Sequence, residues 1–191
     1  KVPLLITETP YYFNERAHRF MMGETKRLME NLERIAGKKI DEGRLREYVE
    51  YGNEAVDYIV KLQDLKKKVP CPDTGWHRPA DTIFMCQIGT PHGAKYFRDL
   101  YGIVKKRADK GEGVIPEGKK EKRLAWGYTW ECFDLPFFNW LENEHGAVYT
   151  EDTLTYFPAD VGKVDTTNLE TMLEGLAWRS MQMPMARQVM S

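Results

Sequence analysis

Residues 37–70, GKKIDEGRLREYVEYGNEAVDYIVKLQDLKKKVP, leave the fewest choices open. Leu45, Tyr48, Val49, Gly52, Ala55, Val56, Ile59, Leu62 and Leu65 recur at three- and four-residue spacing, which sets them on one face of a helix. Read as a strand, with a period of two, the same residues would scatter over both faces. Asp41 supplies the side-chain oxygen that a helix start needs for its unbonded backbone amides. Lys66, Lys67 and Lys68 stand where the negative helix end favours cations, and Pro70 stops the run. A long amphipathic helix, its stripe covered by something else, is the expectation.

The preceding segment predicts a partner. Asn14 can cap a helix running to Ala36, with Met21, Thr25, Leu28, Met29, Leu32 and Ile35 as its stripe and Gly37 closing it. The two helices are expected to pack as a hairpin. After a proline-rich loop, CPDTGWHRP, Asp81 should start a short helix through Cys86. Thr90-Pro91 then reads as a cap followed by proline at the first helical position, with Ala94, Phe97, Leu100, Tyr101 and Val104 forming the next stripe.

The chain's two ends read differently. Residues 2–7, VPLLIT, are a short apolar run that reads as a buried strand. Residues 110–122, KGEGVIPEGKKEK, lack any period and read as a linker. Beyond it, residues 123–128 read as a strand, 135–144 as a helix and 147–151 as a second strand, with Gly146 ending the helix. That order predicts a parallel strand–helix–strand unit. Thr167-Asn168-Leu169-Glu170 reads as a capping box for a last helix carrying Leu169, Met172, Leu173 and Leu176, which Pro184 should break.

Composition removes several functions. A 42% hydrophobic, 30% charged chain of 191 residues can bury a real core. Its net charge of −1 offers no basic field for nucleic acid. No apolar run approaches the roughly 20 residues of a membrane span, and KVPLLITETP has no signal-peptide pattern. No GxGxxG, GxSxG, Walker A or HExxH motif is present. Cys71, Cys86 and Cys132 are odd in number and widely spaced, so they form no disulfide framework, and a reducing cytoplasm is the expected setting. His18, His77, His92 and His145 lack metal-ligand spacing; His77, beside Trp76, is the least ordinary of them.

Parallel sheets place ligands beyond the carboxyl ends of their strands. Two such ends are expected here. One carries Glu8, Tyr11 and Tyr12; the other carries Thr129, Trp130 and Glu131. In each a carboxylate stands beside hydroxyl and aromatic groups suited to holding a small organic acyl group. Glu131 and Glu8 are the candidate acid–base residues, provided burial raises their pKa. The plainer alternative is that both are solvent-facing carboxylates at helix starts. Lys119, Lys120, Lys122 and Arg123 could meet a ligand's phosphates or simply belong to a solvated linker.

Several of these segments, taken in order, resemble a known family. GKKIDEGRLREYVEYGNEA, then VP, then IGTPHGAKYFRDLYGIVKKRADKGEG, then RLAWGYTWECFDLPFFNWLENEHGAVYTEDT is similar to the middle of 2-hydroxyacyl-CoA dehydratase subunits, which share a family with ATP-driven benzoyl-CoA reductase subunits. The resemblance runs from Lys1 to about Ser191. It implies an α/β architecture in which a helical segment joins two Rossmann-like parallel-sheet domains, only partly present here. On that reading residues 1–13 are the last strand region of a first domain, 14–112 the helical middle, 113–122 a linker and 123–191 the start of a second domain. A start at Lys1 without Met, and family subunits about twice this long, point to a piece of a longer protein.

The resemblance also implies an activity. Family enzymes dehydrate a 2-hydroxyacyl-CoA, or reduce a benzoyl-CoA-type substrate, through a radical fed by one electron. That electron comes from an ATP-hydrolysing iron–sulfur activator protein, and the subunit pairs with a homologous second subunit. A [4Fe–4S] cluster is held by cysteine thiolates that, by resemblance, lie before and after this region, so none is expected in the fragment itself. A noncatalytic helical interaction module and an inactive paralogue are the competing readings.

Overall fold

The computed structural model describes residues 4–10, 12–127, 134 and 136–182. Helix α1 spans Glu15–Ala36, with the Asn14 side chain accepting the Ala17 N–H at 2.9 Å. Gly37 closes it at φ 65°, a left-handed geometry that glycine adopts without a Cβ penalty. Helix α2, Glu42–Lys66, starts where Asp41 accepts the Arg44 N–H at 3.0 Å. A 3₁₀ turn, Gly75–His77, runs into α3, Arg78–Met85. The short helix thus begins three residues before Asp81, because Thr74 caps the preceding turn by accepting the Trp76 N–H. Helix α4 covers Pro91–Asp109 behind the Thr90 cap, as expected.

The core lies between α2 and α4. Ala55, Val56, Ile59, Leu62 and Leu65 face Phe97, Leu100 and Val104, and Phe157 and Val161 close one side. Each large aliphatic or aromatic side chain so covered contributes about 1.5–3 kcal/mol of transfer free energy. The stripe expected on α2 is therefore buried from Val49 to Leu65, while Tyr48 stays exposed.

Helix α1 departs from the expected hairpin. It packs not on α2 but on α6, Leu169–Gln182, through Ala17, Met21, Ala177 and Met181. Only the first half of its stripe is used; Leu32 and Ile35 are exposed. The second half of α1 instead flanks an open cleft of about 640 Å³ toward the start of α2, lined by Leu32, Ala36, Ile40, Leu45 and Tyr48. Helix α6 also begins one residue later than its sequence box implies. Asn168 accepts the Thr171 N–H at 3.0 Å, and the Thr171 hydroxyl accepts the Asn168 N–H at 3.3 Å, so Thr171 does what Glu170 was expected to do. Pro184 lies outside the described residues.

The strand–helix–strand unit is present: β1, Lys122–Trp126; α5, Pro136–His145; β2, Ala147–Asp152. The strands pair in parallel, Lys122 opposite Ala147 and Leu124 opposite Tyr149, with Gly146 at φ 64° making the turn into β2. The register slips after Leu124, so that Ala125 faces Glu151 and Thr150 is passed over. The Thr150 hydroxyl donates to the Leu124 carbonyl at 3.1 Å across this bulge. Bulges of this kind re-aim side chains and are common beside functional sites.

The fold is thus mostly helical with a small two-stranded parallel sheet, and two full Rossmann-like sheets do not appear among the described residues. The strand expected over residues 2–7 does not form in its described part. Leu4 is 82% exposed and Ile6 65%, and residues 4–10 take no regular structure. A strand needs a neighbour for its backbone groups, and none pairs with this segment among the described residues; the Ile6 carbonyl is held by the Arg27 guanidinium instead, at 2.8 Å. Among the described residues no helix is long and apolar enough to cross a membrane.

Candidate functional site

A cavity of about 250 Å³ opens at the carboxyl end of β2. Thr150, Glu151 and Asp152 line it from the strand, Gln63, Lys66 and Lys67 from the last turn of α2, and Thr155, Tyr156 and Arg123 from the sides. The bulge at Thr150 sets this end of the strand against α2. Arg123 closes the helix by donating to the Lys68 carbonyl at 2.9 Å and to the Lys66 carbonyl. Carbonyls at a helix end have no partners of their own and favour a cation.

Behind the cavity lies a buried network of charges. Asp73, fully buried, accepts Arg78 Nη2 at 2.6 Å and His77 Nδ1 at 2.6 Å, and Lys66 Nζ stands 3.4 Å away. Arg78 also pairs with Asp81 at 2.8 Å and faces Asp152 at 3.9 Å. Tyr96 donates its hydroxyl to Asp81 at 2.8 Å. Asp152 accepts the N–H groups of Leu154 and Thr155 and the Thr155 hydroxyl at 2.6 Å. Five segments are tied at one point: the end of α2, the loop into α3, α3 itself, α4 and the end of β2.

Electrostatics follow from that packing. Burial opposes charge on Asp73, but Arg78, Lys66 and His77 together outweigh it and hold the carboxyl well below the usual carboxylate range. Burial and the nearby Arg78 push the Lys66 amine down. Burial and then Asp81 raise the Tyr96 hydroxyl. Isolated charges would not survive here; each is compensated by partners and hydrogen bonds. A second tie runs from α5, where buried Glu142 accepts the Thr74 hydroxyl at 2.8 Å and the Gly75 N–H at 2.7 Å. The result is a polar cavity of fixed shape, with a buried amine and two carboxylates in its wall, able to orient a small polar group.

Sequence reasoning missed this network. Lys66 reads as an ordinary cation at a helix end, and only His77 stood out in the proline-rich loop. The available signal was the charge density of that loop, where Asp73, His77, Arg78 and Asp81 sit among Cys71, Pro72 and Gly75. Of the residues proposed from sequence, Glu8 is exposed and its N–H donates to the Glu24 carboxylate at 3.0 Å. Tyr12 is also exposed. Tyr11, Thr129, Trp130 and Glu131 lie outside the described residues, as does Cys132. Lys119 caps α5 through the carbonyls of Asn143 and Glu144, so Lys119 and Arg123 are both engaged in helix ends.

The comparisons with known proteins agree with one another. The family model described as 2-hydroxyglutaryl-CoA dehydratase, D-component, matches residues 1–190. The chain belongs to that family. Among curated proteins it is similar to a benzoyl-CoA reductase subunit of Thauera aromatica, at 30% identity over 133 residues, covering 64% of this chain and 31% of the relative. The chain thus spans about a third of the length of the curated relative it matches.

The iron–sulfur cluster that the resemblance implies finds no fitting ligand set among the described residues. Cys71 is fully buried, its thiol pushed up to about 11 by burial, whereas a cluster ligand must be a thiolate. Cys86 is exposed on the far end of α3. No group of three or more His, Cys, Asp or Glu side chains among the described residues could hold a metal ion.

Proposed function

We propose that the complete protein is a subunit of an anaerobic iron–sulfur acyl-CoA enzyme. It dehydrates a 2-hydroxyacyl-CoA or reduces a benzoyl-CoA-type substrate with ATP-driven electron input. The family match over residues 1–190 carries this reading, and the similarity to a benzoyl-CoA reductase subunit supports it. The cluster is ligated by cysteines other than Cys71 and Cys86 and supplies one-electron chemistry. A homologous second subunit and an ATP-hydrolysing iron–sulfur activator complete the system, which works in the cytoplasm. Residues 14–112 form a helical middle joining two α/β units, the second opening at residue 123 after the linker at 113–122.

Within this chain the buried charges hold the strand–helix–strand unit at a fixed angle on the end of α2. Glu131 is the proposed residue for exchanging a proton with the acyl group, with Glu8 as the second acid–base candidate. Tyr11, Tyr12, Thr129 and Trp130 contact the acyl portion.

The test is metal content. Protein purified without oxygen from the complete gene should carry about four irons and four sulfides per cluster. Iron-free, colourless protein would contradict the enzyme reading and favour the noncatalytic module or inactive paralogue. In that protein Glu131→Gln should lower turnover with an unchanged melting temperature; unchanged turnover would remove Glu131 from the site.

A further inference from the structure

Lys66 is the one lysine buried among the described residues, 6% exposed in the last turn of α2. Its Nζ lies 3.4 Å from Asp73 Oδ2, and that same oxygen already takes Arg78 Nη2 at 2.6 Å. Two cations therefore meet on one carboxylate oxygen. The other Asp73 oxygen is occupied by His77 Nδ1, also at 2.6 Å. Asp81 gives its oxygens to Arg78 and the Tyr96 hydroxyl, and Asp152 gives its own to the Leu154 and Thr155 N–H groups and the Thr155 hydroxyl. A guanidinium does not lose its proton in proteins, whereas a buried lysine does so readily. Of the two cations on Asp73, Lys66 is the one that can stand neutral, and burial and then Arg78 push its amine down.

The same residue borders open space. Lys66 lines the cavity of about 250 Å³ at the end of β2, together with Asp152 and Thr155. One water takes about 30 Å³ of liquid, so the cavity has room for an organic molecule of a few carbon atoms. The other cations of the lining are engaged elsewhere: Lys67 pairs with Asp64 at 2.7 Å, and Arg123 holds the carbonyls of Lys66 and Lys68. Lysine amines made neutral by burial or by a neighbouring cation are the ones that add to carbonyl carbon. Lys66 has both conditions and a cavity beside it.

We propose that Lys66 captures a small aldehyde or ketone in this cavity as an imine. The amine lone pair adds to the carbonyl carbon and forms the C–N bond. Both amine protons end on the carbonyl oxygen, the C–O bond breaks and water leaves, with no change of oxidation state. The capture does not rest on the acyl-CoA reading, because it takes a free carbonyl compound and needs no thioester, cluster or ATP.

The experiment treats the full chain at pH 7 with acetaldehyde and cyanoborohydride, which reduces an imine to a stable N-ethyl amine, and locates the label by tandem mass spectrometry of peptides. Lys66 should label at least fivefold faster than the exposed Lys68. The preference should vanish in urea, where the two residues share one environment. It should also shrink as pH approaches the ordinary lysine value of about 10.4, where surface amines are neutral too. Lys66→Met, which keeps the length of the side chain, should remove the fast phase seen by intact mass; the mapping in wild type decides the matter whether or not that variant folds. Labelling of native Lys66 no faster than Lys68, or a preference that survives unfolding, would overturn the proposal.

Discussion

Replacing Asp73 with Asn tests the charge network directly. Asp73 is fully buried and takes two charged hydrogen bonds of 2.6 Å, from Arg78 and His77, with Lys66 at 3.4 Å. The amide keeps the shape but removes the charge, and its NH₂ group must face a donor. Breaking a buried ion pair on one side costs about 3–5 kcal/mol. Arg78 keeps Asp81 at 2.8 Å, which puts the expected loss near the lower end, about 3 kcal/mol. For a chain of this size that is roughly a 10 °C drop in melting temperature. The pH dependence has a definite sign. Because the folded carboxyl is held below its unfolded value of about 3.9, the stabilisation is fully present above that pH and is lost as pH falls toward the folded value. Urea unfolding of wild type and Asp73→Asn should differ by about 3 kcal/mol at pH 7 and converge on acidification below about pH 4. A difference under 1 kcal/mol at pH 7, or parallel acid limbs, would refute the ionised, stabilising Asp73.

Three further outcomes follow from packing. Val56→Asp places a charge against Phe97, Leu100 and Val104 and should cost about 3–5 kcal/mol; a wild-type melting temperature would refute the facing of α2. Gly75→Ala sets a methyl 2.6 Å from the Phe138 ring and 3.2 Å from Tyr149 Cβ, and should cost about 1–3 kcal/mol in denaturant unfolding; no loss would mean that α5 packs less closely on the loop. A thiol reagent at pH 8, read by peptide mass mapping, should label exposed Cys86 in the native protein and buried Cys71 only on unfolding; equal rates would contradict the burial of Cys71.

The helices were legible because their information is local and repeated. Nine apolar positions at helical spacing and Asp41 place α2, and Thr90-Pro91 places the start of α4, whatever surrounds them. The parallel strand–helix–strand unit was legible for the same reason, through Gly146 and two short β-rich runs. Partner choice was not. Nothing in the stripe of α1 says whether α2 or α6 will cover it, and the exposure of Leu32 and Ile35 is decided by how far α6 reaches. The charge network was the least legible part. Lys66, Asp73, Arg78, Tyr96 and Asp152 come from separate segments with no common spacing, and a lysine in a last helical turn ordinarily points to water. The loop into α3, α3 and the end of β2 close over the end of α2 and bury it. The short run at residues 4–7 shows the converse: apolar composition suits a strand, but with no neighbouring strand to bond among the described residues it forms none.

The assignment to acyl-CoA chemistry stands or falls on turnover. The complete protein, purified without oxygen, should be combined with the proposed homologous second subunit and activator ATPase and given 2-hydroxyacyl-CoA or benzoyl-CoA-type thioesters. Conversion that requires ATP and the activator is the predicted result. Cluster-loaded protein that leaves every such thioester unchanged, with ATP and a working activator present, would contradict the account.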